Sequence, residues 1–293
     1  MNTPISESPA RQAQQAAEFL RLHHDPKVLI LPNAWDVISA RIFEAEGFRA
    51  IGTTSAGISA TLGYPDGQQM SLDENMRITE RIARNLRVPV SADIEAGYSP
   101  HVEGVVAAAR AAIGAGAVGI NLEDGTGDPV RPLVPLSTMV ERVAAIRRMS
   151  DSTGIHLVLN LRTDAILTSL TLTEDVVEEA VRRGNAFAEA GADCVFVPDT
   201  GTMDNETIVR LVRDIDVPLN ILLSAKSPGI AELEDIGVAR VSFGPRMMRV
   251  ALALIRNIAR EVRDRGTTEL LAQDSMSYQE VNQLLSDSRN RFA

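Results

Sequence analysis

Gly116-Ala117-Val118-Gly119-Ile120-Asn121-Leu122-Glu123-Asp124 is the stretch on which the fold turns. Glycine at the end of an amphipathic segment supplies the left-handed position that closes a helix, and the apolar run after it has the length of one buried strand. The same order recurs at Gly47 before Phe48-Arg49-Ala50-Ile51, at Gly191 before Ala192-Asp193-Cys194-Val195, and at Gly237 before Val238-Ala239-Arg240-Val241. Val88-Pro89-Val90 and Val217-Pro218-Leu219 are junctions of a second form, in which proline opens a strand without removing an interior ladder bond. With Val28-Leu29-Ile30-Leu31 and Leu157-Val158-Leu159-Asn160, strand and helix alternate eight times. That pattern predicts an α/β fold, a closed (β/α)8 TIM-type barrel. The alternative, a doubly wound open sheet, would place Gly-x-Gly-x-x-Gly after the first strand, and none is there.

Between the strands lie helices with readable starts: Ser71-x-x-Glu74 as a capping box, Ser99-Pro100 as N-cap and first residue, Thr173 before Glu174 and Asp175, and Gly244-Pro245. Ala13, Ala16, Phe19 and Leu20 fall at helical spacing, so residues 1–25 are read as an N-terminal helical extension and 26–265 as the barrel. Residues 266–293 form a C-terminal extension, with Ser277-Tyr278-Gln279-Glu280 capping its helix. His23 and His24 are expected on a solvated helix face, and Asp36 as an N-cap.

The chain has 293 residues, is 45% hydrophobic and carries a formal net charge of -10, which disfavours nucleic acid or an anionic membrane as a partner. Small-molecule chemistry is the better fit. The single cysteine, Cys194, stands in an apolar run and reads as a core residue, so neither a disulfide nor a thiolate metal cluster is expected. No apolar stretch of spanning length and no signal-peptide pattern occurs around Glu7, which points to a cytoplasmic protein.

In a barrel, chemistry gathers at the C-terminal strand ends. They offer Asn33-Ala34-Trp35-Asp36, then Thr53-Thr54-Ser55 with Asp66 farther along its loop, then Asp93 and Glu95, then Asn121 and Glu123. Asn160, Arg162 and Asp164 follow, then Pro198-Asp199-Thr200, then Asn220. Side chains alternate along a strand, so Asp93 and Glu95 share a face, as do Asn121 and Glu123. Carboxylates converging on one pocket repel unless a divalent cation sits among them, and an arginine facing them suits an anionic substrate. The bland readings are that Arg162 pairs with Asp164 or Glu123, that Trp35 packs in a loop, and that Asn220 satisfies backbone inside the barrel.

Taken together, Pro32-Asn33-Ala34-Trp35-Asp36, Gly52-Thr53-Thr54-Ser55-Ala56-Gly57, Leu62-Gly63-Tyr64-Pro65-Asp66, Ala92-Asp93-Ile94-Glu95-Ala96-Gly97-Tyr98, Leu122-Glu123-Asp124 and Leu161-Arg162-Thr163-Asp164-Ala165 resemble the isocitrate lyase and phosphoenolpyruvate mutase superfamily over about residues 27–265. The resemblance implies a barrel whose eighth helix is exchanged between subunits, a dimer or dimer of dimers, and Mg²⁺ (Mn²⁺ as the alternative) bound with a 2-oxo acid. By position it implies Asp93, Glu95 and Glu123 around the metal, directly or through water. Thr54, Ser55, Arg162, Trp35 and Asn220 would contact substrate, and Arg162, Asp66 and Glu123 would serve catalysis. The implied reaction is a carbon-carbon cleavage or decarboxylation through pyruvate enolate.

Members that cleave isocitrates carry a Lys-Lys/Arg-Cys-Gly-His loop after the fourth strand. Here the segment is Gly125-Thr126-Gly127-Asp128-Pro129-Val130-Arg131-Pro132, without Cys, Lys or His. The lysine and asparagine of the P–C enzymes are missing as well, and Glu95 replaces the aspartate of many members. Tyr98, His101 and Arg131 are the local substitutes. Chemistry at a P–C bond, with Arg131 on the phosphoryl group, and a non-catalytic 2-oxo acid binder are the alternatives. A ketopantoate hydroxymethyltransferase-like barrel matches the Arg162 segment less well.

Overall fold

A computed structural model describes residues 9–199, 201–273 and 275–289. Residues 1–8 of the expected N-terminal extension, Thr200 and the final residues of the C-terminal extension lie outside them. The strands are β1 (Leu29–Leu31), β2 (Asn33–Ala34), β3 (Ile51–Thr53), β4 (Val90–Asp93), β5 (Gly119–Glu123), β6 (Val158–Arg162), β7 (Cys194–Val197), β8 (Leu219–Leu222) and β9 (Arg240–Ser242). The helices are α1 (Pro9–Leu22), α2 (Val37–Ala45), α3 (Ser55–Leu62), α4 (Leu72–Ala83), α5 (Val102–Gly114), α6 (Leu136–Thr153), α7 (Glu174–Glu189), α8 (Asn205–Asp214), α9 (Ile230–Ile236), α10 (Arg246–Arg265) and α11 (Tyr278–Arg289).

All strand pairs are parallel, in the order β1-β9-β8-β7-β6-β5-β4-β3-β2. This is the TIM-type barrel, with the first of the eight expected strands broken in two at Pro32. Proline has no N–H to donate, so the ladder lapses there. β1 pairs with the last strand and β2 with the second, and the first strand thereby forms the closing seam. Asn33 fastens it: its Oδ1 accepts from the Phe243 and Gly244 N–H groups, each at 2.9 Å, and its Nδ2 donates to the Thr53 carbonyl.

The glycines expected at helix ends do adopt left-handed backbones, with φ of 88° at Gly47 and Gly116, 112° at Gly191 and 97° at Gly237. The capping box at Ser71 and Glu74 forms, Asp36 caps α2, and Thr173 precedes α7. Two starts differ: α5 begins at Val102 with His101 as its cap residue rather than at Ser99-Pro100, and α10 begins one residue later than Gly244-Pro245 suggests, with Pro245 as its cap residue.

The N-terminal end of the barrel is covered by α1. Its Gln12 amide donates to the Ile113 and Ala117 carbonyls, and Phe19 lies so close to Gly119 that a β-carbon there would meet the ring at 2.5 Å. This overturns the solvated reading of His23, while His24 is exposed as expected. His23 is buried, with Nδ1 2.8 Å from the Phe19 carbonyl and Nε2 3.4 Å from Nη1 of the buried Arg240. Burial, then the charge of Arg240, lowers its pKa to about 3, so it sits there neutral. Cys194 is buried in the core, where burial raises its thiol to about 12. Among the described residues no helix is long and apolar enough to cross a membrane.

Candidate active site

A cavity of about 210 Å³ opens at the C-terminal strand ends, lined among others by Thr54, Ser55, Asp66, Asp93 and Arg162. That is below the roughly 300–1,000 Å³ of pockets for drug-sized ligands and suits a molecule of a few heavy atoms. Five of the nine residues to which the resemblance gives metal, substrate or catalytic roles therefore meet in one place. Trp35, Glu95, Glu123 and Asn220 do not line it.

Asp93, the last residue of β4, is held from two sides. Its Oδ2 accepts from the Ser55 N–H at 2.9 Å and the Ser55 hydroxyl at 2.7 Å. Its Oδ1 accepts from Asn121 Nδ2 at 3.0 Å and the Glu95 N–H at 3.3 Å. The first residue of α3 thus points its free N–H at a carboxylate, the placement a helix N-terminus favours. Thr54 is the N-cap of that helix, its hydroxyl accepting from Gly57 N–H. Trp35 packs beside the same turn, where a β-carbon on Gly57 would meet Trp35 Cβ at 2.7 Å.

Glu95 is turned away from the cavity. Its two oxygens accept from the Gln68 N–H at 2.7 Å and the Tyr98 hydroxyl at 3.0 Å, while Asn75 Nδ2 donates to both the Asp93 carbonyl and Tyr98. Gln68, Glu95 and Tyr98 are also the non-glycine residues with left-handed backbones among the described residues, at φ of 57°, 51° and 57°. Such conformations cost of order 1–3 kcal/mol and persist where surrounding bonds over-determine them. Sequence reasoning missed Gln68 and Asn75. Gln68 lies two residues past Asp66 and Asn75 directly after the capping box, and neither position carries a signal of its own.

Glu123 and Arg162 stand opposite each other in register and form an ion pair, with Nη1 2.7 Å from the carboxylate. The other edge of the guanidinium holds Asp164 in a fork, at 2.6 and 3.0 Å. Burial opposes the charge of Arg162, yet Glu123 and Asp164 leave it more firmly protonated than usual. Burial pushes Glu123 the opposite way, above the usual carboxylate range. Asp164 is fixed in turn, its N–H donating to Asp124, whose other oxygen takes Arg183 at 3.0 Å.

The donor set suits a hard divalent cation: carboxylate oxygens, with Asp66 raised by burial and then by Asp93, and Glu95 raised to about 7 by the same two causes. That surplus of negative charge is what a bound cation would relieve. Yet among the described residues no group of three acids is placed to hold an ion. The expected trio is divided instead: Asp93 faces the cavity, Glu95 faces Gln68 and Tyr98, and Glu123 faces Arg162. Asn220, fully buried, bonds within the barrel to Asn160 and Ser242. His101 and Arg131 are exposed and line no part of the cavity; Arg131 lies 3.6 Å from Asp128.

The phosphoenolpyruvate phosphomutase family model matches residues 19–263. The chain belongs to that family. 2-Methylisocitrate lyase of Bacillus subtilis (strain 168) is 27% identical over 94% of this chain and 90% of its own length. A solved structure from Burkholderia cenocepacia J2315, provisionally described as a lyase/mutase, is 30% identical with a TM-score of 0.87, covering 94% of this chain and 98% of that one. Phosphonopyruvate hydrolase solved with oxalate and Mg²⁺ has a TM-score of 0.81 at 24% identity, covering 95% and 97%. Lyases and mutases of the isocitrate lyase/phosphoenolpyruvate mutase superfamily are therefore the relatives of this family member.

Proposed function

We propose that this family member is an Mg²⁺-dependent carbon-carbon lyase or decarboxylase acting on a small 2-oxo acid, or a related 2-hydroxy dicarboxylate, by way of pyruvate enolate. One observation carries the reading: a small cavity at the barrel's reactive end is lined both by Asp66 and Asp93 and by Arg162. Asp93 would ligate the cation, with Asp66 as the second carboxylate at the cavity, while Glu95 and Glu123 stay on the partners described above. When bound, the ion would supply Lewis-acid stabilisation of the negative charge that develops on the substrate's oxo oxygen. Arg162, oriented by Glu123 and Asp164, would meet the substrate carboxylate with the N–H donors that those two acids leave free. Ser55 would hold Asp93 in place, and Thr54 would fix the helix turn that presents Ser55. Asp66 would border the open side of the cavity and order water there. Tyr98 donates its proton to Glu95, and burial raises its pKa, so it serves as a strut. Among the described residues Asp66 and Asp93 are the acids that line the cavity, and the enolate would take its proton from water.

The test is calorimetric binding of oxalate with and without Mg²⁺, followed by turnover of a panel of 2-oxo and 2-hydroxy acids that includes oxaloacetate. Asp93→Asn should abolish both while leaving the circular dichroism spectrum unchanged. Mg²⁺-dependent oxalate binding without turnover of any substrate would make the chain a binding protein. Activity that survives Asp93→Asn would remove the site.

We also infer a homo-oligomer in which α10 packs on a second copy. Val250, Leu252, Leu254, Ile255 and Val262 of that helix are exposed, and only Met248 and Glu261 of it are buried. A helix that leaves this many large apolar side chains uncovered around its circumference is suited to burial against another surface. The division into an N-terminal extension, barrel and C-terminal extension, and a cytoplasmic location, belong to the same reading.

A further inference from the structure

The interior of the barrel holds a one-way chain of side-chain amides that ends on Asp93. The Ser242 hydroxyl donates to Asn220 Oδ1 at 2.8 Å, and Asn220 Nδ2 donates to Asn160 Oδ1 at 3.3 Å. Asn160 Nδ2 donates to Asn121 Oδ1 at 2.8 Å, and Asn121 Nδ2 donates to Asp93 Oδ1 at 3.0 Å. Asp93, Asn121 and Asn160 are register partners on β4, β5 and β6, and the chain then skips β7 to reach β8 and β9. Asn160 and Asn220 are almost fully buried and line no part of the cavity, so neither touches a bound molecule.

The direction of the chain follows from its ends. A carboxylate only accepts, so Asn121 must present its NH₂ to Asp93 and its carbonyl to the next residue. Asn160 must then donate to that carbonyl, and the same choice passes to Asn220. Ser242, whose hydroxyl can donate, closes the row. Every amide dipole is consequently aligned with its positive end toward Asp93, and bonds arranged in series polarise one another.

We propose that Asn160 and Asn220 are positioning residues for Asp93, fixing the carboxylate orientation that a divalent cation would meet. This rests on Asp93 being the cation's ligand. A group bonded directly to a ligating carboxylate holds it in its rotamer, and removing one costs roughly 10–100-fold in metal affinity; Asn160 and Asn220 act on Asp93 through Asn121, so their effect falls at or below the lower end of that range. A purely structural role would lower stability and leave that affinity alone.

The experiment measures Mn²⁺ binding to the full chain by electron paramagnetic resonance, alongside the melting temperature without metal. Wild type is compared with Asp93→Asn, Asn160→Ala and Asn220→Ala. Asp93→Asn should lose the site. Asn160→Ala should bind Mn²⁺ up to about tenfold more weakly, and Asn220→Ala, one link farther out, should be affected less but measurably. Should Asn160→Ala fail to fold, Asn220→Ala carries the comparison. Loss of binding in Asp93→Asn with wild-type affinity in the asparagine variants overturns this inference alone. Equal affinity in wild type and Asp93→Asn overturns the metal reading and this inference with it.

Discussion

Glu123 and Arg162 are adjacent in register on β5 and β6, and their side chains meet at 2.7 Å. Because Asp164 occupies the other edge of the guanidinium, one cation serves two carboxylates before any substrate arrives. Arg162→Met should therefore cost about 1–3 kcal/mol of stability, less than the loss of a cation from a fully buried pair because Arg162 and Glu123 keep 23% and 19% exposure. Arg162→Lys keeps the charge but not the fork, and should retain most of the stability while weakening Mg²⁺-dependent oxalate binding about tenfold. Denaturant titration and calorimetry separate the two effects.

Stability should depend on pH through His23. Its folded pKa of about 3 lies below the ordinary 6.5, so between these values the unfolded chain binds a proton that the folded chain refuses. The stability His23 contributes is complete above pH 6.5 and declines as pH falls toward 3, with a slope of at most about 1.4 kcal/mol per pH unit. His23→Gln, which keeps an acceptor for Arg240 and does not titrate, should flatten that slope in urea unfolding measured from pH 4 to pH 7. An unchanged slope would show that His23 is protonated in the folded chain.

The pair of Asp124 and Arg183 is closed off from solvent more completely, with the Asp124 side chain at 0% exposure and Arg183 at 7%. Arg183→Met should destabilise by about 3–5 kcal/mol, since it leaves Asp124 buried and unpaired. Adding Asp124→Leu should restore part of the loss, although the Asp164 N–H then lacks its acceptor. Full additivity of the two losses would contradict the pairing.

Val250 and Ile255 are 71% and 61% exposed on α10. Replacing both with Glu should shift sedimentation to the monomer with little change in the circular dichroism spectrum, because neither side chain is packed in the barrel. An oligomer that survives the double substitution would place the interface elsewhere.

The barrel was legible because its junctions repeat: a left-handed glycine or a strand-opening proline marks most strands, and each depends on local backbone chemistry alone. Register was not legible. Alternation puts Glu123 on a face with Asn121, but only the alignment of β5 against β6 turns it toward Arg162 rather than toward Asp93 and Glu95. The left-handed backbones of Gln68, Glu95 and Tyr98 were hidden too, since none is a residue type that advertises that conformation. The burial of His23 is invisible in the sequence, because the helix pattern shows which face is apolar but not that this face covers a barrel end. Asn220 was noticed for its position at a strand end, and its bonds to Asn160 and Ser242 depend on strands far from it in sequence.

The broken first strand also sets an order of events during synthesis. Asn33 pairs with Gly52, 19 residues on (52 − 33), but Leu29 must wait for Arg240, 211 residues on (240 − 29). At 5–20 residues per second, roughly 10–40 s pass at the ribosome between the two. For that time the β1 edge is an unpaired strand of a sheet still open, and the nascent chain must shield Leu29, Ile30 and Leu31 from neighbours until its last strand is made.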